Sequence, residues 1–248
     1  MASRPPTGET SIGGDRQAFP STCWSSLEWS ADPGQRRAAL EGLARAYWKP
    51  VYAYIRASRS ASNEDAKDLT QDFFLWMAET DFLGRADPSR GRFRSFLKVA
   101  LTRYLGGEDR KRRSLKRGGD RTFLFLDPTH DGDSLFELPP SEGRSPEEIL
   151  DDVWKNETLG RTLLRLENEY RQEGKETQFL VFRDFCVDEA TYEGLADRYG
   201  ITKVDVSNFL MRAKEHFRSF LKEEIERTVS GEEHLLDEWR FLFGRDQK

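Results

Sequence analysis

Long apolar runs are missing from this 248-residue chain. No stretch approaches the ~20 apolar residues that a membrane-spanning helix needs. The opening residues, MASRPPTGETSIGGD, lack the apolar core of a secretory signal. Cysteine is scarce: Cys23 and Cys186 stand far apart and without pattern. Neither a disulfide framework nor a zinc site is supported, and a reducing cytoplasm fits. The three histidines, His130, His216 and His234, are scattered. The motifs G-x-x-x-x-G-K-[ST], H-E-x-x-H, G-x-S-x-G and C-x-x-C are absent. Carboxylate pairs are abundant, as expected where 33% of residues are charged, and none is marked out. The expectation is therefore no catalytic site, no metal and no cofactor. The length leaves room for one large domain or two small ones.

What is present is charge, unevenly placed. The net charge is −5, yet residues 90–121 hold 12 Lys/Arg against Glu108, Asp109 and Asp120, a local excess of +9. The run contains a helical stripe of Phe93, Phe96, Leu97, Ala100, Leu101, Tyr104 and Leu105. Arg92, Arg94, Lys98 and Arg103 lie off that stripe, and Arg110, Lys111, Arg112, Arg113, Lys116 and Arg117 follow. Such a patch on an acidic chain reads as a polyanion site, most simply nucleic acid, or as a solvated run that ends a helix.

In chain order, residues 1–18 are rich in Pro, Gly, Ser and Thr, a composition that predicts disorder. Trp24, Leu27 and Trp29 are packing anchors, and Asp32-Pro33-Gly34 is a turn. Residues 36–48 read as a helix with Ala39, Leu40, Leu43, Ala44 and Tyr47 inward. Pro50 ends it and opens a second helix over 51–57. Ser62 and Asp65 have the spacing of a capping box, and the helix they open runs to about Glu79. Its buried stripe is Ala66, Leu69, Phe73, Trp76 and Met77. Asp65, Asp68, Gln71 and Asp72 lie on the adjoining polar face, with Phe74 read as exposed beside them. Asp68 and Asp72 are like charges at i, i+4, which disfavours the helix slightly. A basic partner surface accounts for that arrangement, and so does plain solvation.

Residues 120–146 read as a linker that is acidic and contains Pro and Gly. Residues 127–157 hold ten acids against Arg144 and Lys155, a local charge of −8. Ser145, Pro146, Glu147 and Glu148 form a helix start, carried to about Tyr170 by Ile149, Val153, Trp154, Leu159, Leu163, Leu164 and Leu166. A helix over 177–186 holds Phe179, Val181, Phe182 and Phe185. A short helix over 192–199, a turn at Gly200-Ile201, and a longer helix capped by Thr202 with Asp205 follow. Val206, Leu210, Ala213, Phe217 and Phe220 are its buried stripe. This is the helix-turn-helix pattern, or an ordinary helix pair. As a helix-turn-helix it turns Lys203, Asp205, Ser207, Asn208, Met211 and Arg212 outward, where base edges lie. The tail over 222–247 is amphipathic, with Leu235, Leu236, Trp239, Phe241 and Phe243 as core or docking surface. The fold class expected is all-α: two small helical domains joined by the linker.

With those residues in place, the chain resembles a bacterial extracytoplasmic-function (ECF) RNA polymerase sigma factor. Pro50-Val-Tyr-Ala-Tyr-Ile-Arg, then Glu64-Asp65-Ala-Lys-Asp68-Leu69-Thr70-Gln71-Asp72-Phe73-Phe74, then Phe93-Arg-Ser-Phe-Leu and the basic run look like sigma region 2. Tyr192-Glu-Gly-Leu-Ala-Asp-Arg-Tyr-Gly-Ile and the following helix look like region 4. Phe19-Pro-x-Thr-x-Trp24 and Arg90-Gly-Arg-Phe-Arg-Ser-Phe96 resemble a subgroup common in planctomycete-type genomes.

The resemblance implies a region-2-like domain over 19–119, a linker over 120–146, a region-4-like domain over 147–225 and a C-terminal extension over 226–248. It implies that Asp65, Asp68, Gln71, Asp72 and Phe74 dock on the β′ clamp helices of core RNA polymerase, with the β flap as a further contact. Arg94, Lys98, Arg103, Arg110, Lys111 and Arg113 would face the −10 promoter element. Lys203, Asp205, Ser207, Asn208, Met211 and Arg212 would read the −35 element. An anti-sigma factor or a Ser/Thr kinase acting at Thr70 would be a regulator. The acidic linker would shield the basic helix from DNA. Family members often carry asparagine where Arg103 stands, and basic residues where Ser207 and Phe209 stand. The competing readings are a helix-turn-helix regulator that binds DNA without core polymerase, and a helical protein–protein adaptor.

Overall fold

The computed structural model describes residues 33–80, 91–114, 143–229 and 231–244, and these form eight helices and no strand. The expectations for residues 1–32, the loop at 81–89 and the linker over 120–142 lie outside the described residues.

Helix α1 (Pro33–Arg59) runs straight through Pro50. The expected break at that proline does not occur. A mid-helix proline leaves the carbonyl four residues earlier without its N–H donor. That carbonyl, Ala46 O, instead accepts a 3.5 Å hydrogen bond from Arg161. The buried residues Tyr47, Val51, Tyr52 and Ile55 pin the helix on both sides of the proline. Helix α2 (Asn63–Glu79) starts at Ser62, whose side chain accepts from the Asp65 N–H at 3.1 Å. Helix α3 (Phe93–Ser114) buries Phe93, Leu97, Ala100, Leu101, Tyr104 and Leu105 of the stripe the spacing predicts, with Phe96 half-buried against them.

Helix α4 (Pro146–Gln172) opens on the Ser145–Glu148 capping box with Pro146 in its first turn. Helices α5 (Glu176–Val187), α6 (Tyr192–Tyr199) and α7 (Lys203–Glu226) follow. Helix α8 (Glu232–Phe243) ends the described chain. No helix among the described residues is long and apolar enough to cross a membrane.

Two hydrophobic clusters hold these helices. The first joins α1, α2 and α3 and takes Leu150 and Trp154 from α4, Leu221 and Ile225 from α7, and Leu242 from α8. The second gathers Leu166 and Tyr170 of α4 with Phe179 and Phe182 of α5, Leu195 of α6, and Val206, Leu210 and Ala213 of α7. Helices α4 and α7 therefore carry side chains into both clusters, and Phe217 packs against each. In two of the stripes read from sequence some members turn outward while the others stay packed inside. In α4, Leu164 is exposed, while Thr158 and Thr162 are buried. In α8, Leu236 and Phe243 face water, and Leu242 and Glu238 face inward.

Candidate nucleic-acid and partner interfaces

The unit formed by α6 and α7 is built by local rules. Thr191 caps α6, its hydroxyl accepting from the Gly194 N–H at 3.1 Å. Gly200 ends α6 at φ 64°, in the left-handed region that favours glycine. The Ile201 N–H then returns to the Ala196 carbonyl at 3.0 Å. Thr202 and Asp205 close a reciprocal capping box at the start of α7. Leu195, Ala196, Val206 and Leu210 fasten the two helices together.

A second device locks α6 against α5. Asp184, 3% exposed, accepts hydrogen bonds from the Tyr199 hydroxyl, from Arg198 at 2.8 Å and from Arg183 at 2.8 Å. Burial alone pushes this carboxyl up. The Tyr199, Arg183 and Arg198 hydrogen bonds outweigh it and hold Asp184 below the ordinary aspartate value. Sequence reasoning missed this residue. The available signal was a single acid among the apolar residues of Phe179-Leu-Val-Phe-Arg-Asp-Phe-Cys-Val187.

The outward face of α7 carries Lys203, Ser207, Asn208, Met211 and Arg212, all exposed. Lys203 pairs with Glu193 at 2.7 Å, across from α7 to α6. Asp205 is half-buried, and its carboxylate accepts from both the backbone and the hydroxyl of Thr202. It closes the cap that the Thr202–Asp205 spacing predicts. Val204, which sequence reasoning passed over, is 68% exposed on the same face.

On α2 the acidic face stands as read, with Asp65 and Asp68 exposed and Gln71 and Asp72 half-buried. Asp65 also accepts from the Ser62 hydroxyl at 2.8 Å, so it shares Asp205's role as a cap. Phe74 does not belong to this face. It is 1% exposed, stacked on Trp48 and edge-on to Phe73. At about 100° per residue Phe74 lies roughly 160° around the helix from Asp72. Thr70 is also buried, its hydroxyl donating to the Ala66 carbonyl at 2.7 Å. A kinase cannot reach it in this fold, which removes the modification site its place among the acids had offered.

On α3 the basic candidates divide. Arg94 is 5% exposed and forms ion pairs with Glu238 of α8 and Asp151 of α4. Its guanidinium lies 4.8 Å from the Trp154 ring centre and 4.0 Å from that of Phe241. Burial acts to lower its pKa, but Glu238 and Asp151 together hold it above the ordinary arginine value. The reading of Arg94 as a DNA contact is therefore corrected. At about 100° per residue it falls between Leu101 and Leu105, inside the apolar stripe. Lys98, half-buried, pairs with Asp151 at 2.6 Å. Arg103 and Arg110 remain exposed, alongside Ser95, Val99 and Thr102. The side chains of Lys111 and Arg113 lie outside the described set.

Among the described residues no group of three or more His, Cys, Asp or Glu is placed to hold a metal ion. No protein-family model, curated protein or solved structure matches the chain.

Proposed function

We propose that the chain is a sigma factor, one that binds core RNA polymerase and directs promoter-specific initiation. The observation that supports this reading best is the α6–Gly200–α7 unit. Its second helix is capped at Thr202, locked from behind by Leu195, Val206 and Leu210, and turns a polar face with Asn208, Ser207 and Arg212 to solvent. A helix-turn-helix offers the first turns of its second helix to the major groove in a comparable way, which supports the reading. The acidic face of α2 at Asp68 and Asp72 supplies a surface complementary to basic clamp helices. The exposed edge of α3, with Arg103 and Arg110, supplies cations toward a second promoter element. In this arrangement residues 19–119 act on polymerase and the −10 element, residues 147–225 act on the −35 element, and 120–146 links them.

The inward turn of Arg94 and the pairing of Lys98 favour a second reading, a helix-turn-helix regulator that binds operator DNA alone. Assembly separates the two. A sigma factor co-elutes with core RNA polymerase, and the complex retains promoter duplex that the free chain holds weakly. A chain that retains duplex equally well without polymerase, and does not co-elute with it, is the regulator.

A further inference from the structure

Two large apolar side chains on the outer face of α7 are turned mostly to solvent. Val204 is 68% and Met211 61% exposed. At about 100° per residue they project within roughly 20° of each other, with Asn208 some 40–60° away between them in sequence. The stripe thus alternates apolar, amide and apolar groups along the first two turns of the second helix. We propose that this stripe reads a short A·T-bearing site, with Asn208 on an adenine edge and Val204 and Met211 against thymine methyl groups. The inference rests on the DNA-binding reading of α7 given above.

The chemistry of the major groove matches this set. A carboxamide pairs bidentately with adenine N7 and N6, and the thymine C5-methyl is the groove's distinctive apolar feature. The length matches as well. Seven residues of helix rise about 10.5 Å, close to three base-pair steps of about 3.4 Å each. Ser207, exposed one turn from Met211, can serve either base. Exposed Arg212 and Arg218 flank the stripe, placed for phosphate. Exposed Glu215 lies on the stripe one turn beyond Met211, so the apolar–amide–apolar pattern ends within the first two turns. A protein partner is the other class of occupant for an apolar stripe. The amide and hydroxyl interleaved with Val204 and Met211 favour base edges.

The test uses duplexes selected from a randomised pool by the full chain, alone and assembled with core RNA polymerase. The selected duplex is then remade with deoxyuridine at each thymine in turn, which deletes only the C5-methyl. The expected motif contains adjacent A·T pairs. Deoxyuridine at one or two of them lowers affinity roughly fourfold each, the worth of one buried methyl. Val204→Ser and Met211→Gln abolish that sensitivity. Asn208→Ala loses roughly 5- to 150-fold of discrimination for one adenine and leaves the salt dependence unchanged. A selected motif whose deoxyuridine forms all bind as tightly as the thymine form overturns the inference while DNA binding stands. A pool from which nothing is enriched, with or without polymerase, overturns the DNA-binding reading itself.

Discussion

Arg94 and Glu238, 144 residues apart in the chain, meet as a buried bidentate ion pair, with Nη2 2.7 Å from Oε2 and Nε 3.4 Å from Oε1. Glu238 is 1% exposed, and Arg92 also lies 3.7 Å from it. The pair ties α3 to α8, and Asp151 adds α4. Removing one partner strands a buried charge, whereas replacing both with apolar groups does not. Arg94→Leu is predicted to lower stability by about 3–5 kcal/mol in urea unfolding, and Arg94→Leu with Glu238→Leu to recover most of the loss. If the double variant is as unstable as the single one, the pair is not the source of the effect.

The two faces of α2 separate stability from binding. Phe74→Ala opens a cavity beside Trp48 and Phe73 and should cost about 3–5 kcal/mol. Asp68→Lys, on the exposed face, should stay within about 0.5 kcal/mol of the parent and weaken association with core polymerase. Calorimetry paired with a polymerase-binding titration checks both. A reversed pattern would return Phe74 to the docking face.

Gly200 isolates a backbone effect. A Cβ built there meets nothing within 4 Å, so only the left-handed φ of 64° resists substitution. Gly200→Ala should cost about 1–2 kcal/mol. Gly200→Asn should cost less, because asparagine tolerates that region. Equal losses for both, measured by thermal unfolding, would show that packing and not backbone conformation sets the cost.

Asp184 makes the packing of α6 on α5 sensitive to acid. Its folded pKa lies below the unfolded one, so its stabilisation is present above the unfolded value and fades as pH falls through the folded value. The unfolded value is about 3.9. The α5–α6 lock should therefore weaken below about pH 4. Asp184→Asn should remove that dependence and lose roughly 1–2 kcal/mol at neutral pH. Near-ultraviolet circular dichroism of the two forms against pH reads it directly.

Local signals carried well from sequence to structure, and rotational ones did not. The Ser62, Ser145 and Thr202 caps and the Gly200 turn are set within a few residues, so α2, α4, α6 and α7 begin where their sequences predict. Phe74 and Arg94 were misplaced because residue type was allowed to override helical angle. An aromatic beside acids and an arginine among arginines both sit on inward faces once about 100° per residue is applied. Pro50 was misread for another reason. Whether a proline breaks a helix depends on what satisfies the freed carbonyl, and here the donor is Arg161, from a helix more than 100 residues away in sequence. Glu238 was invisible for the same reason, since one of several acids in a charged tail gives no sign of a partner in α3. Val204 is legible, because it lies one turn before Asn208 and off the buried stripe of Val206, Leu210 and Ala213.

The central claim is tested most directly by run-off transcription on promoter templates with bacterial core RNA polymerase, with and without the full chain. The account predicts discrete transcripts only when both are present, fewer with Asp68→Lys, and redirected start sites with Asn208→Ala. Sequence-specific duplex binding by the chain alone, with no transcript at any ratio to polymerase, would contradict it.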